Sequence, residues 1–127
     1  MKDVSIVIVN YKMKDNIEVC LSSLYAELVK SSLSVQITVV DNNSGDGIKA
    51  FLQKRFPNVH CIELSENKGF GFAQNAGLSA HEAQYYFALN PDTEFLTGES
   101  VIEGLYQFMQ ENPRIGRDAI PSSQLSD

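Results

Sequence analysis

Cysteine, histidine and basic residues are scarce in this 127-residue chain, and it contains no long apolar run. Each shortage removes a class of protein. Cys20 and Cys61 lie inside apolar periodic segments and lack the C-x-x-C spacing of a zinc or redox site, so both are expected as buried thiols. His60 and His81 have no His, Cys or carboxylate at ligand spacing around them, and a zinc centre is not expected. The opening apolar run, Val4 to Val9, is too short for a signal-peptide core with its cleavage site or for a membrane span. The expectation is a chain without a transmembrane segment, soluble in a reducing, cytoplasmic compartment. Ten Lys and Arg against sixteen Asp and Glu give a net charge of -6. That charge repels a phosphate backbone, which argues against nucleic acid as a partner. It would suit a bound divalent cation, but a solvated acidic surface has the same composition, so charge alone indicates no metal.

Standard nucleotide and hydrolase signatures are also missing. Gly69-Phe70-Gly71 lacks the third glycine of a dinucleotide fingerprint, since position 74 is Gln74, and it follows the third expected strand instead of the first. Neither G-x-x-x-x-G-K-[ST] nor G-x-S-x-G occurs, which removes the main support for a P-loop nucleotidase and for an α/β-hydrolase. A phosphoacceptor domain would need an acidic pair where Asn10-Tyr11 stands.

What is present is a regular alternation. Hydrophobic residues make up 43% of the chain, enough for one core and not two. Val4 to Val9 is β-branched and nearly continuous in apolar character, as in a strand covered on both faces. Ile17, Cys20, Leu21, Leu24 and Leu28 recur at helical spacing between Lys14 and about Lys30. Val35 to Val40 reads as a second strand, Ile48 to Arg55 as a helix closed by Pro57, and Val59 to Leu64 as a third strand. A helix from about Gly71 to Glu82 carries Phe72, Ala73, Ala76 and Leu78, and Tyr85 to Leu89 is a fourth strand. Thr97 is positioned to cap a last helix, Glu99 to Glu111, with Val101, Leu105 and Phe108 facing inward. This order specifies an α/β fold, an open and mostly parallel Rossmann-like sheet with flanking helices. Such sheets bind ligands beyond the carboxyl ends of their strands.

The four strand exits are Asn10-Tyr11, Asp41-Asn42, Asn67 to Gly69 and Asn90 to Asp92, and most of the conspicuous polar residues lie there. Each has two readings. Asp41-Asn42 with Asn43-Ser44-Gly45 has the composition of any turn, yet a carboxylate and an amide also complement a pyrimidine edge. Asn90-Pro91-Asp92 initiates a turn, yet Asp92 with the Asn90 amide oxygen could hold a hard cation whose shell is completed by diphosphate and water. Asn67, Gly69, Asn75 and Gly77 suit any helix entry, or a helix N-terminus facing phosphates. Tyr11 could stack on a base or merely cover the end of the sheet.

Taken in order, VSIVIVNYK, VVDNNSGDG, ENKGFGFAQNAG and FALNPDTEF resemble the family 2 glycosyltransferases of the GT-A fold, over about residues 3 to 115. The resemblance implies a cytoplasmic enzyme of polysaccharide biosynthesis that transfers a sugar, with inversion, from a nucleoside diphosphate donor to an acceptor hydroxyl. A pyrimidine donor and a glycan or lipid-linked acceptor are its implied partners. Carried over by position, Asn10, Tyr11, Asp41 and Asn42 belong to the nucleotide site, Tyr11 and Asn42 at base-contacting positions, with Asn67, Gly69, Asn75 and Asn90 completing the donor site. Asn90-Pro91-Asp92 takes the place of the family's D-x-D motif, making Asp92, accompanied by Asn90, the implied ligand of Mg²⁺ or Mn²⁺. This variant resembles a subgroup that includes rhamnosyltransferases. Gln74 stands where many relatives carry an arginine for the diphosphate. Residues 1–116 then form the donor-binding domain, and residues 117–127 an atypical tail where relatives continue toward the acceptor region and the general base. Without these, the alternative is a catalytically inactive nucleotide-sugar-binding or assembly module, and a homo-oligomer is a further expectation.

Overall fold

The computed structural model describes residues 1–113, so the tail at residues 117–127 lies outside the described residues. Four strands and four helices alternate: β1 (Lys2–Asn10), α1 (Lys14–Leu28), β2 (Val35–Asp41), α2 (Ile48–Arg55), β3 (His60–Glu63), α3 (Phe70–Ser79), β4 (Ala83–Leu89) and α4 (Val101–Glu111). The sheet order is β3-β2-β1-β4, every pairing parallel. This is the α/β architecture that the alternation of elements specified.

The central position of β1 explains its composition. It pairs with β2 on one side and β4 on the other, and Val4 through Asn10 are all buried. Its side chains divide between two cores. Val4, Ile6 and Ile8 join Ile37, Val39 and Phe87 beneath α1, α2 and α4, represented by Ile17, Leu21, Ile48, Leu52 and Ile102. Val7 and Val9 join Val40 and Ala73 of α3 on the opposite face. A single α3 on that face needs close approach, and Gly77 supplies it. A Cβ built there would lie 2.5 Å from Val7 Cγ1 and 2.9 Å from Val40 Cγ2. Gly77 therefore serves helix-to-sheet packing, a correction to its reading as part of a phosphate-facing loop.

Element boundaries and faces also differ in places. β3 is shorter than Val59 to Leu64, and Cys61 on it is half-buried rather than enclosed. α3 begins at Phe70 and ends at Ser79, with Phe72 exposed and Gln74 turned inward. The largest correction concerns α4, which starts at Val101 and buries Ile102 and Met109, leaving Val101, Leu105 and Phe108 exposed. Its apolar residues form two adjoining stripes, and periodicity cannot choose between them. Tertiary contact chooses: the Ile102 amide donates to Glu27 Oε2 of α1 at 2.6 Å, and Tyr106 packs edge-on against Tyr85 of β4. Glu27, and not Thr97, thus satisfies the helix start.

From β1 the chain steps outward through β2 to β3, then returns across the sheet through α3 to place β4 on the other side of β1. The strand order reverses between β1 and β4. Their carboxyl ends, Asn10 and Leu89, open on the crevice where sheets of this kind take ligands.

Candidate functional site

The register sets Asn10 opposite Asp41, so two polar side chains end adjacent central strands at the same level. Asn10 is fully buried, which requires partners for its amide. Its Oδ1 accepts from the Met13 amide at 3.0 Å, holding the turn into α1. Its Nδ2 faces Asp41 Oδ1 at 3.0 Å, Asp46 Oδ2 at 3.1 Å and Ser44 Oγ at 3.2 Å, more acceptors than its two hydrogens serve at once. Ser44 Oγ in turn donates to Asp41 Oδ1 at 2.6 Å and accepts from the Lys12 amide at 3.0 Å. Asp46 also accepts from the Ile48 amide at the start of α2. Asn10 and Asp41 thus spend their polar atoms inside the protein, framing the site.

Ser44, Asp46 and Lys12 are members of this network that motif reading did not single out. Lys12 adopts a left-handed conformation at φ 59°, and Asn43 does so at 61°. Such a backbone is uncommon for lysine and marks a turn held by its surroundings. The available signal was Asp46 two residues before Ile48, an Asx-turn spacing, with a Ser three residues after Asp41, and composition alone leaves both looking like any loop.

Asn42 ties the second exit to the third. Its amide donates to Asn10 O at 2.9 Å, and its Nδ2 donates to Gly69 O at 3.3 Å. Asn42 is buried, and its Oδ1 has no hydrogen-bond partner among the described residues. A buried acceptor in that state costs roughly 1–3 kcal/mol until a donor meets it. Asn67 Oδ1 accepts from the Gly69 amide at 2.9 Å, shaping the entry to α3, where Gly69 holds φ 96°. A buried Gln74 Oε1 is likewise without a partner. Asn75 lies on the exposed side of α3. Tyr11 is 46% exposed, with Lys12 Nζ 5.3 Å from its ring centre.

The structure therefore joins the exits of β1 and β2 and the loop after β3 by direct hydrogen bonds. Asn90 and Asp92 follow the end of β4, the neighbour of β1, and make no hydrogen bond to that network among the described residues. Asn90 O accepts from the Thr93 amide at 3.0 Å, so the tripeptide is a turn, as composition alone suggested. Both side chains are nonetheless exposed and free of hydrogen bonds and ion pairs among the described residues. Two unengaged oxygen donors of the hard type fit a cation that keeps several waters or phosphate oxygens. No group of three or more His, Cys, Asp or Glu capable of holding a metal occurs among the described residues. The Asp92 charge reaches the buried Cys20, whose thiol is pushed up to about 12 by burial first and by that carboxylate second.

A four-stranded parallel sheet flanked by helices, with polar residues at its β1/β4 switch point, has the Rossmann-like α/β architecture of the GT-A fold. The chain belongs to glycosyl transferase family 2, whose profile matches residues 5–121. It is 31% identical over 91 residues to the succinoglycan biosynthesis protein ExoO of Rhizobium meliloti (strain 1021), covering 71% of this chain and 25% of that protein. It is 29% identical to the low-salt glycan biosynthesis hexosyltransferase Agl10 of Haloferax volcanii, covering 98% of this chain and 40% of that one. Among solved structures, S. aureus TarS 1-349 in complex with UDP-GlcNAc matches 86% of this chain and 31% of its own, with a TM-score of 0.71 and 22% identity. The mannosyltransferase PcManGT from Pyrobaculum calidifontis, in complex with GDP-Man and Mn²⁺, matches 84% of this chain and 34% of its own, with a TM-score of 0.68 and 18% identity. This chain thus spans a quarter to two-fifths of the length of these two curated relatives. No helix among the described residues is long and apolar enough to cross a membrane.

Proposed function

We propose that this chain is the donor-binding part of an inverting glycosyltransferase that moves a sugar from a nucleoside diphosphate to an acceptor hydroxyl of a glycan or lipid-linked glycan. The observation that carries the reading is Asn42, buried at the joined strand exits with Oδ1 unpartnered. A pyrimidine N3–H is the donor this oxygen lacks, and Tyr11 offers an exposed ring for the base to stack on. The Asn10 carbonyl, on a residue braced by Asp41, accepts from the Asn42 amide and Gly69 O accepts from its Nδ2, so that acceptor is held in place, and Asn67 and Gly69 would turn the first amides of α3 toward the phosphates. Asn75 lies one turn further along α3, within the same donor site.

Asp92 and Asn90 would hold Mg²⁺ or Mn²⁺, whose chemistry there is to offset charge on the departing diphosphate. The Mn²⁺ and GDP-Man in the similarly folded mannosyltransferase support this assignment. The Asn90-Pro91-Asp92 variant favours a rhamnosyl donor. Two free cysteines suit a cytoplasmic setting. Homo-oligomers would form through the edge of β4 that faces away from β1.

A second reading, an inactive nucleotide-sugar-binding or assembly module, draws support from the carboxylates of the β2 exit. Asp41 and Asp46 are engaged by Asn10, Ser44 and the start of α2, so neither is free to deprotonate an acceptor. Amide chemical-shift mapping with UDP-, dTDP- and GDP-sugars tests the donor site. Shifts concentrated at residues 10–12, 41–44 and 67–75, largest with pyrimidine donors, support it; no nucleotide-dependent shifts at these residues would exclude it. Donor hydrolysis or transfer by the chain would then exclude the inactive reading.

A further inference from the structure

Two histidines that are 21 residues apart in sequence meet at the amino-terminal end of the sheet. His60 opens β3, and His81 lies between α3 and β4, so the return of the chain through α3 brings them together. His60 Nδ1 is 2.8 Å from His81 Nε2, the rings edge-on with centres 4.9 Å apart. Neither is deeply buried, and a cavity of about 520 Å³ lined by Lys2, Ser34, His81 and Glu82 opens beside them. We propose that His60 and His81 form a binding site for a late first-row divalent cation, Zn²⁺, Ni²⁺ or Cu²⁺, separate from the Asp92 site.

Imidazole nitrogen is the ligand these borderline cations prefer, whereas Mg²⁺ and Mn²⁺ prefer oxygen. Tetrahedral zinc with Zn–N bonds of about 2.0–2.1 Å places two nitrogens roughly 3.3 Å apart. The rings need to open by only about half an ångström from their hydrogen-bonded spacing, within reach of partly exposed side chains whose χ2 is broad. Water completes the shell from the open side. Location separates this site from the donor site: β4 begins two residues after His81 and ends one residue before Asn90, so its seven-residue length, about 23 Å, lies between them. A cation here would clip the short edge strand β3 to the α3–β4 corner. Linear spacing could not disclose the pair, because no helix or strand carries both residues.

Titrating Zn²⁺ into the full chain in the presence of excess Mg²⁺ tests the site by calorimetry. One equivalent should bind. Affinity should fall at least about tenfold in His60→Ala and in His81→Ala and stay unchanged in Asp92→Ala. Lys2→Ala should tighten binding, because the Lys2 charge acts on His81. Substoichiometric Ni²⁺ should broaden the imidazole proton resonances of His60 and His81 first, a readout that needs no variant. Zn²⁺ binding that survives both histidine substitutions, no Zn²⁺ binding at all, or Ni²⁺ broadening centred elsewhere would overturn the proposal.

Discussion

Asn42 donates its side-chain Nδ2 to the carbonyl of Gly69 at 3.3 Å, and that bond couples the end of β2 to the entrance of α3. It also fixes where the remaining Asn42 oxygen points. Replacing Asn42 by Ala removes the coupling and the unpartnered acceptor together. The expected result is a stability loss of about 1 kcal/mol or less, because the relief of one orphaned atom offsets the lost bond. Pyrimidine nucleotide affinity should fall by much more than that, and parallel denaturant and nucleotide titrations separate the two effects.

Asn10→Asp keeps the shape of the hub and changes its charge. A carboxylate would then face Asp41 and Asp46 with no exposure to water. Like charges at that distance raise each other's pKa, and roughly 2–4 kcal/mol of destabilisation is expected at neutral pH. The loss should shrink as pH falls, because one proton shared within the cluster relieves it. Urea denaturation of both proteins at several pH values measures this convergence.

Gly77→Ala sets helix propensity against space. Alanine favours the helix by about 1 kcal/mol. Its Cβ, however, meets Val7 Cγ1 at 2.5 Å and Val40 Cγ2 at 2.9 Å, both on central strands. Overpacking of this kind costs about 1–3 kcal/mol and outweighs the propensity gain. Val7→Ala made in the same chain should recover part of the loss, so a double-mutant cycle in urea reads the clash directly.

The strands were legible because their apolar runs needed no choice of face: β1 is buried on both sides from Val4 onward, so that stretch is apolar apart from Ser5 and the terminal Asn10. α4 was not legible to the same degree. Val101, Leu105 and Phe108 make as good a helical stripe as Ile102, Tyr106 and Met109, and the contacts to Glu27 and Tyr85 that decide between them come from distant parts of the chain. The strand exits were legible as polar turns, and their roles within the network were not. Asn10 reads from sequence as a ligand residue, whereas its amide is consumed by Asp41, Asp46, Ser44 and Met13. Only a register that sets Asn10 against Asp41 reveals that use.

The two thiols should react differently with alkylating reagents. Burial, helped by the Asp92 charge, raises the Cys20 thiol to about 12, while Cys61, half-buried, is raised to about 11. Cys20 is fully buried, so at pH 8 its thiol stays protonated and its side chain is out of reach. Iodoacetamide should label Cys61 slowly, faster as pH rises, and Cys20 only on unfolding. Peptide mass mapping of the labelled sites over a pH series checks the order.

In the proposed function, Asp92 and the unpartnered Asn42 acceptor bind one nucleoside diphosphate together. The most direct measurement is calorimetric titration of UDP into the chain with and without Mn²⁺, repeated on Asp92→Ala. Mn²⁺ should strengthen UDP binding to the original chain by at least about tenfold and have no effect on the variant, which should retain the weaker metal-free affinity. Equal Mn²⁺ enhancement in both proteins, or no UDP binding by either, would contradict a joint site for metal and nucleotide.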